Sequence, residues 1–348
     1  MPREEESAFD ELDGLTGVSE AVRPFTAAQL VACGECLRAN APTRMSCLYC
    51  GAPLPATEQS EALRRPDLKK LEEWEQGFNV VTLPRSDGWL KPEAAGEAAS
   101  LLRLDAGRLT QIVASGRAMP LARASSSEEA ELIVKRLGPL GIDAEVFTDE
   151  ALSSQPARVR ALEFQADALV RGAGLDAKPR RVPWAEVALL VTGRIVTKRV
   201  EVEERKSMLG SRSKMVESRE MAADEAVLDI YTASGADDEG FRIMSGGFDY
   251  SCLGADKRLF TAENFSALVE ALRVRAPSAI FDDEYARLRA LLSDAWPPAE
   301  HTESLGLRRE RAGRFNTEAV TTVSNERQFT RYARLRQRLT LRARAESL

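Results

Sequence analysis

Histidine is nearly absent: His301 stands alone among 348 residues. General-base catalysis by imidazole would rest on that one side chain. Its setting, Pro297-Pro298-Ala-Glu-His-Thr-Glu-Ser, reads as a polar linker with no rigid scaffold, so an ordinary exposed histidine is expected. No G-x-S-x-G elbow, P-loop, G-x-G-x-x-G or H-E-x-x-H occurs, which leaves hydrolase and nucleotide-enzyme chemistry without their usual footing. Long apolar runs are missing as well. The longest, 187–191, is far too short to cross a bilayer. Glu4-Glu5-Glu6 stands where a signal peptide would begin its apolar region, so neither export nor a transmembrane segment is expected. The acids Asp282-Asp283 sit side by side at a helix start, where they serve as dipole partners. No catalytic residue and no enzymatic activity are expected.

Cysteines are few, but four of the five are grouped. Cys33-Gly-Glu-Cys36 and Cys47-Leu-Tyr-Cys50 are separated by ten residues. A C-x-x-C turn points both sulfurs the same way, and two such turns complete a Cys₄ shell, the closed tetrahedral geometry of structural zinc. Two disulfides or a redox dithiol are the alternatives. The connector is shorter than is usual between two C-x-x-C pairs, within what a ribbon hairpin tolerates. The run Cys47-Leu-Tyr-Cys50-Gly51-Ala-Pro-Leu-Pro resembles a bacterial zinc ribbon, with glycine just after the second knuckle. One structural zinc ion on Cys33, Cys36, Cys47 and Cys50 is expected, and a saturated four-thiolate site argues for architecture rather than chemistry. Clustered thiols without an export signal favour the cytoplasm. Cys252 falls inside a strand pattern and reads as a buried, unreactive thiol.

With 44% hydrophobic and 29% charged residues, the chain is globular and long enough for two or three cores. A net charge of -6 gives no global reason to expect nucleic acid. The distribution is more telling: the first thirty residues are acidic, whereas residues 301–348 carry eleven arginines against five glutamates. Residues 1–27 read as an acidic mobile arm and 28–57 as the ribbon. Leu68, Leu71 and Trp74 recur at spacing three, which predicts a linker helix over 58–77 that starts near Pro66. From 78 to 149 a compact unit follows in the order β-α-α-β-α-β. Phe78-Asn-Val-Val-Thr opens it, Ser125-Ser-Ser127-Glu-Glu-Ala starts its last helix, Gly138 and Gly141 end that helix, and Ile142 to Phe147 alternates as the third strand.

The run from Met119-Pro-Leu-Ala-Arg-Ala through Ser-Ser-Ser-Glu-Glu-Ala to Leu137-Gly-Pro-Leu-Gly-Ile-Asp-Ala-Glu-Val resembles the end of the ribosomal stalk protein's C-terminal domain, a fold shared by the Clp-protease adaptor. That resemblance implies a protein-binding αβ domain. The stalk domain's Gly-Leu-Gly-Leu-Lys segment is replaced by Arg103-Leu-Asp-Ala-Gly-Arg-Leu109, so the docking of translation factors is not carried over. Beyond a linker at Ser153-Ser-Gln-Pro156, the chain turns to strands, with Thr192-Gly193 as a turn signal and Phe248-Asp-Tyr-Ser-Cys252-Leu as the last strand. A helix with Phe265, Leu268, Val269 and Leu272 on one face ends the module. Six or seven antiparallel strands closed by a helix over 156–276, with Val182-Pro-Trp-Ala-Glu-Val187, resemble a bacterial pleckstrin-homology-like domain. Its Lys178, Arg180 and Arg181 are too few for specific lipid recognition. Residues 277–348 are expected to be helical and arginine-rich, with a last helix capped by Asn325 and Gln328.

The fold class expected is thus α+β and multidomain: a Cys₄ ribbon, a small αβ domain, and an antiparallel β domain closed by a helix. The expected function is a non-enzymatic adaptor or scaffold that binds a protein partner, of a family of unknown function. The alternative is a ribosome- or nucleic-acid-associated factor that uses the ribbon and Arg327, Arg331, Arg334 and Arg338, where arginines interleave with aromatics. The same helical spacing also fits a helix docked on its own protein. The segment 203–221, rich in Arg, Lys and Met, is read as a loop between strands and as a solvated hairpin tip.

Overall fold

A computed structural model describes residues 25–57, 60, 63–72, 74–84, 89–172, 179–207, 214–233, 240–311 and 314–346. Most of the expected acidic arm (1–24), Lys178 and residues 208–213 lie outside the described residues. The chain is a mixed α/β protein that divides into two compact units, Met1–Pro66 and Asp67–Leu348.

The first unit carries a minimal hairpin, β1 (Val31–Ala32) with β2 (Ala39–Asn40), and among the described residues its hydrophobic cluster is Val31, Cys33, Cys47 and Leu54. Arg64 is buried against it, donating from Nη2 to the carbonyls of Leu54 and Pro55 at 2.8 and 2.7 Å.

The second unit begins with the expected β-α-α-β-α-β order. β3 (Phe78–Thr82) is the centre of a three-stranded antiparallel sheet. Helices α1 (Pro92–Leu102) and α2 (Ala106–Ala114) lead from it to β4 (Met119–Ala124), and α3 (Ser127–Leu137) leads on to β5 (Ala144–Thr148). The helix starts follow local chemistry. Asp105 accepts from the Arg108 N–H and Ser126 from the Glu129 N–H, so each caps its helix. Leu109, Ile112, Ile133 and Leu137 are fully buried. This core does not stop at residue 149. It continues through Leu189, Val191, Tyr285, Trp296, Phe329 and Tyr332.

A short α4 (Asp149–Ser153) leads to β6 (Ala157–Arg158) and a separate antiparallel triplet of β7 (Leu162–Phe164), β8 (Ala168–Arg171) and β9 (Arg180–Pro183). The larger sheet follows, with β10 (Val187–Ser207), β11 (Lys214–Thr232) and β12 (Gly240–Met244). Helix α5 (Thr261–Arg275) closes a second core by setting Phe265, Leu268 and Leu272 against Leu169, Val182, Leu190, Ile230 and Phe241. After β13 (Ile280–Asp282) come α6 (Tyr285–Leu292), β14 (Ala299–Arg311), β15 (Arg314–Ser324) and the terminal α7 (Glu326–Glu346). The larger sheet runs β14-β15-β10-β11-β12-β6, with β13 paired to β10.

Several expectations are corrected. Residues 64–72 are not helical. Leu68 is at φ +40°, and the Asp67 and Leu68 N–H groups donate to Glu129 Oε1 at 2.6 and 2.7 Å, so helical bonding gives way to a tertiary anchor. Thr192-Gly193 is not a turn but the interior of β10, where the bare glycine lets the Phe329 and Tyr285 rings pack on the backbone. The sheet is not purely antiparallel, because β6 and β13 join it in parallel. The segment read as a loop over 203–221 is largely strand, since Glu203 pairs with Glu217 and Arg205 with Lys214. The region from Phe248 folds as a 3-10 helix over Tyr250–Asp256, because Gly247 takes φ +73° and Asp249 caps the Ser251 N–H. Residues 277–348 are only partly helical: β14 and β15 form a hairpin that includes His301 opposite Thr322, so the histidine is exposed on a strand rather than in a linker. Asn325 and Gln328 do not form a capping box. Asn325 instead ties β10 (Val196 N–H to Oδ1, 2.7 Å) to Tyr285, and Gln328 donates to the Trp296 carbonyl at 2.7 Å.

Candidate metal centre

The four expected cysteines come together. Their Sγ atoms all lie within 4.8 Å of one another, with Cys33–Cys50 at 3.6 Å and Cys36–Cys47 at 3.5 Å. A tetrahedral ion with metal–sulfur bonds of about 2.3 Å needs sulfur–sulfur edges of about 3.8 Å, so the group is sized for one ion. These separations are far beyond a bonded S–S distance of about 2.0 Å, and all four thiols are free.

Two turns of the same design build the site. In the first, the Cys33 N–H donates to the Arg38 carbonyl at 3.0 Å and the Leu37 N–H returns to the Cys33 carbonyl at 3.0 Å. In the second, the Cys47 N–H donates to Ala52 at 2.8 Å and the Gly51 N–H to Cys47 at 3.0 Å. The residue after each C-x-x-C closes the turn in the left-handed region: Gly51 at φ +76° and Leu37 at φ +57°. Glycine takes that conformation freely, whereas a leucine is held there against its preference. The left-handed turn at Gly51 was legible in the sequence; the matching one at Leu37 was not.

Asn40 is the functional residue that sequence reasoning missed. It is buried, its Oδ1 accepts from the Leu48 N–H at 2.8 Å, and its amide donates to the Arg38 carbonyl at 2.8 Å and to Cys47 Sγ at 3.5 Å. It therefore links the two turns. An asparagine in a ten-residue connector carries no spacing signal that would have found it. The Tyr49 N–H also points at Cys47 Sγ, at 3.4 Å. Desolvation raises the Cys47 thiol, but the N–H groups of Tyr49 and Cys50, the Asn40 amide and the Cys36 thiol outweigh it and bring Cys47 down to about 6. Cys50 moves the other way, to about 12: its bond to the Ala52 backbone lowers it, but burial and the three neighbouring sulfurs prevail. One thiolate already favoured and one resisted is the electrostatic situation that a bound cation relieves.

The remaining candidates lie elsewhere. Cys252 is half-buried in a 3-10 turn, and burial, then the Asp249 charge, push its thiol up, which disfavours reactivity. The arginines of α7 bond to their own chain. Arg331 meets Asp149 at 3.1 Å, Arg334 is buried and donates to Ser154 O at 2.6 Å, and Arg338 reaches Ala151 O at 2.9 Å. Arg327 is exposed at the start of the helix. Arg336 pairs with Asp282 at 2.6 Å, which gives that acid a structural role, and Asp282 also accepts from the Tyr332 hydroxyl. Among the described residues, no helix is long and apolar enough to cross a membrane. Compared with models of protein families, with curated proteins and with solved structures, the chain matches none.

Proposed function

We propose that the chain is a non-enzymatic zinc-ribbon adaptor that presents folded surfaces to protein partners in a reducing, cytoplasmic setting. The observation that carries this reading is the Cys33, Cys36, Cys47 and Cys50 cluster, which would saturate a tetrahedral ion and leave no open position for a substrate. Four thiolates in tetrahedral array select zinc over the harder divalent ions. The β-α-α-β-α-β portion supports a stalk-like, protein-binding module over 78–149. The triplet and larger sheet closed by α5 support a pleckstrin-homology-like module over 156–276. The bonds that Arg331, Arg334 and Arg338 make within the chain favour this reading over nucleic-acid binding through α7.

The test is capture from native lysate by tagged full-length protein carrying its metal. Salt-insensitive retention of a specific protein supports the adaptor. Retention of RNA or DNA that disappears as salt rises would replace it with the nucleic-acid reading.

A further inference from the structure

The second unit carries a half-open cavity of about 460 Å³ that nothing above employs. One wall is the strap of residues 67–72, which Glu129 holds in place. That carboxylate is 2% exposed, and its other oxygen accepts the Ser125 N–H and hydroxyl at 3.1 and 3.2 Å. Of the three non-glycine residues with left-handed φ among those described, Leu68 (+40°) and Arg103 (+55°) both line this cavity. Gly77 packs behind it: a β-carbon there would come within 2.6 Å of Leu71 Cδ1 and 3.0 Å of Arg123 Nε, both lining groups. Arg103 takes the left-handed conformation as the C-cap of α1, and Leu68 is held in it by Glu129.

The lining is chemically divided. Leu71, Leu104, Leu121 and Ala295 offer apolar surface, while six lining residues are lysine or arginine and three are acidic. Two of the cations are fixed in place. Arg123 Nε and Arg331 Nη2 meet Asp149 Oδ2 and Oδ1 at 2.8 and 3.1 Å, and their side chains are only 12% and 15% exposed. Asp149 is anchored in turn by the Gly77 N–H at 2.9 Å and the Asn79 amide at 3.0 Å. Lys70 and Arg327 add charge at the exposed side. A concave site of a few hundred cubic ångströms with an apolar body and convergent polar groups is what small-ligand pockets have in common.

We propose that this cavity binds an amphipathic carboxylate, with its head among the cations and a medium-length alkyl chain along the leucines. Asp149, Glu75 and Asp67 offset Arg123, Arg331, Lys69 and Arg103, so the preference for an anionic head is set by Lys70 and Arg327 at the exposed side, and the leucine wall requires the anion to carry an apolar body. This inference stands apart from the adaptor reading, since it uses no residue of the metal cluster.

The test is calorimetric titration of the full-length, metal-loaded protein with sodium decanoate, using decanol, acetate and inorganic phosphate as controls. Decanoate should saturate one site with a Kd on the order of 10 µM to 1 mM, given ordinary ligand efficiencies. None of the three controls should compete. Lys70→Glu with Arg327→Glu should weaken decanoate about tenfold. Ala295→Trp, which fills the space, should abolish binding. Circular dichroism melts identify any variant that has lost its fold, and the wild-type titration decides the matter without variants. Failure of decanoate to saturate would overturn the proposal. So would equal binding of decanol or phosphate, or indifference of folded variants to both changes. Tighter binding of a short peptide with an apolar C-terminal residue would reassign the cavity to a peptide carboxylate and overturn the small-molecule occupant.

Discussion

Gly193→Ala adds one methyl group at a crowded point in the interior of β10. A β-carbon there would lie 2.6 Å from Phe329 Cε2, 2.8 Å from Phe329 Cδ2 and 2.9 Å from Tyr285 Cδ1. Neither ring can withdraw easily. The two stand edge to face at 5.0 Å between centroids, both side chains are fully buried, and the Tyr285 hydroxyl donates to Gln328 at 2.8 Å. Overpacking of this kind costs about 1–3 kcal/mol, and the immobile rings place the change towards the upper end. Replacing a strand glycine returns about 0.5–1 kcal/mol of backbone entropy, so the net loss should be about 2 kcal/mol. Urea denaturation followed by far-ultraviolet circular dichroism would read this as a lower midpoint at unchanged slope. Phe329→Leu should partly relieve the clash, so the double variant should be about 1 kcal/mol more stable than the sum of the singles predicts. A Gly193→Ala protein as stable as wild type would refute the reasoning, because it would mean that the Phe329 and Tyr285 rings do not lie on β10.

Three further outcomes follow from the structure. Metal analysis should find about one zinc per chain; Cys47→Ser or a strong chelator should unfold the ribbon, whose hydrophobic cluster among the described residues is the small set Val31, Cys33, Cys47 and Leu54, while the melting of the second unit stays unchanged. Arg242 bonds both oxygens of the fully buried Asp229 at 2.7 and 2.8 Å, so Arg242→Ala should cost about 3–5 kcal/mol in urea denaturation by stranding the carboxylate, and a loss below 1 kcal/mol would count against the pair. Burial raises the phenols of Tyr231, Tyr285 and Tyr332, and raises Tyr250 to about 12. The fold favours these neutral phenols, so their contribution is whole below the unfolded value of about 10 and falls as pH climbs through the folded values; stability measured against pH should decline above about pH 10, with the tyrosinate absorbance of these four phenols following the opening of the fold.

What could be read from the sequence was local. Ser126, Asp105 and the glycines at 138 and 141 mark element ends through bonds within a few residues, and the αβ order followed from them. The Cys₄ group was legible because its spacing is its geometry. Long-range partnerships left no such trace. Glu129 looks like an ordinary first-turn acid, yet it holds the 67–72 strap some sixty residues away in sequence. Thr192-Gly193 carries a turn signature because glycine serves both turns and close packing, and only the Phe329 ring decides between them. In α7 the arginine-aromatic pattern was ambiguous between ligand and self, since Arg334 stacks over the Tyr231 ring at 5.3 Å in the same manner in which an arginine stacks on a base.

The burial of α7 also bears on how the chain is made. Synthesis proceeds from the N-terminus, and the first unit has all of its residues once Pro66 has emerged. The second unit cannot close its larger core until Phe329, Tyr332 and Leu335 arrive, and Arg344 still adds a bond to the Ser278 carbonyl at 2.6 Å. From the synthesis of β10 until that of α7, the nascent second unit exposes β10 surface, and later α6 surface as well, that becomes interior. Premature termination anywhere before α7 would release a species with that surface uncovered, and such a species would depend on chaperones or be cleared by proteolysis.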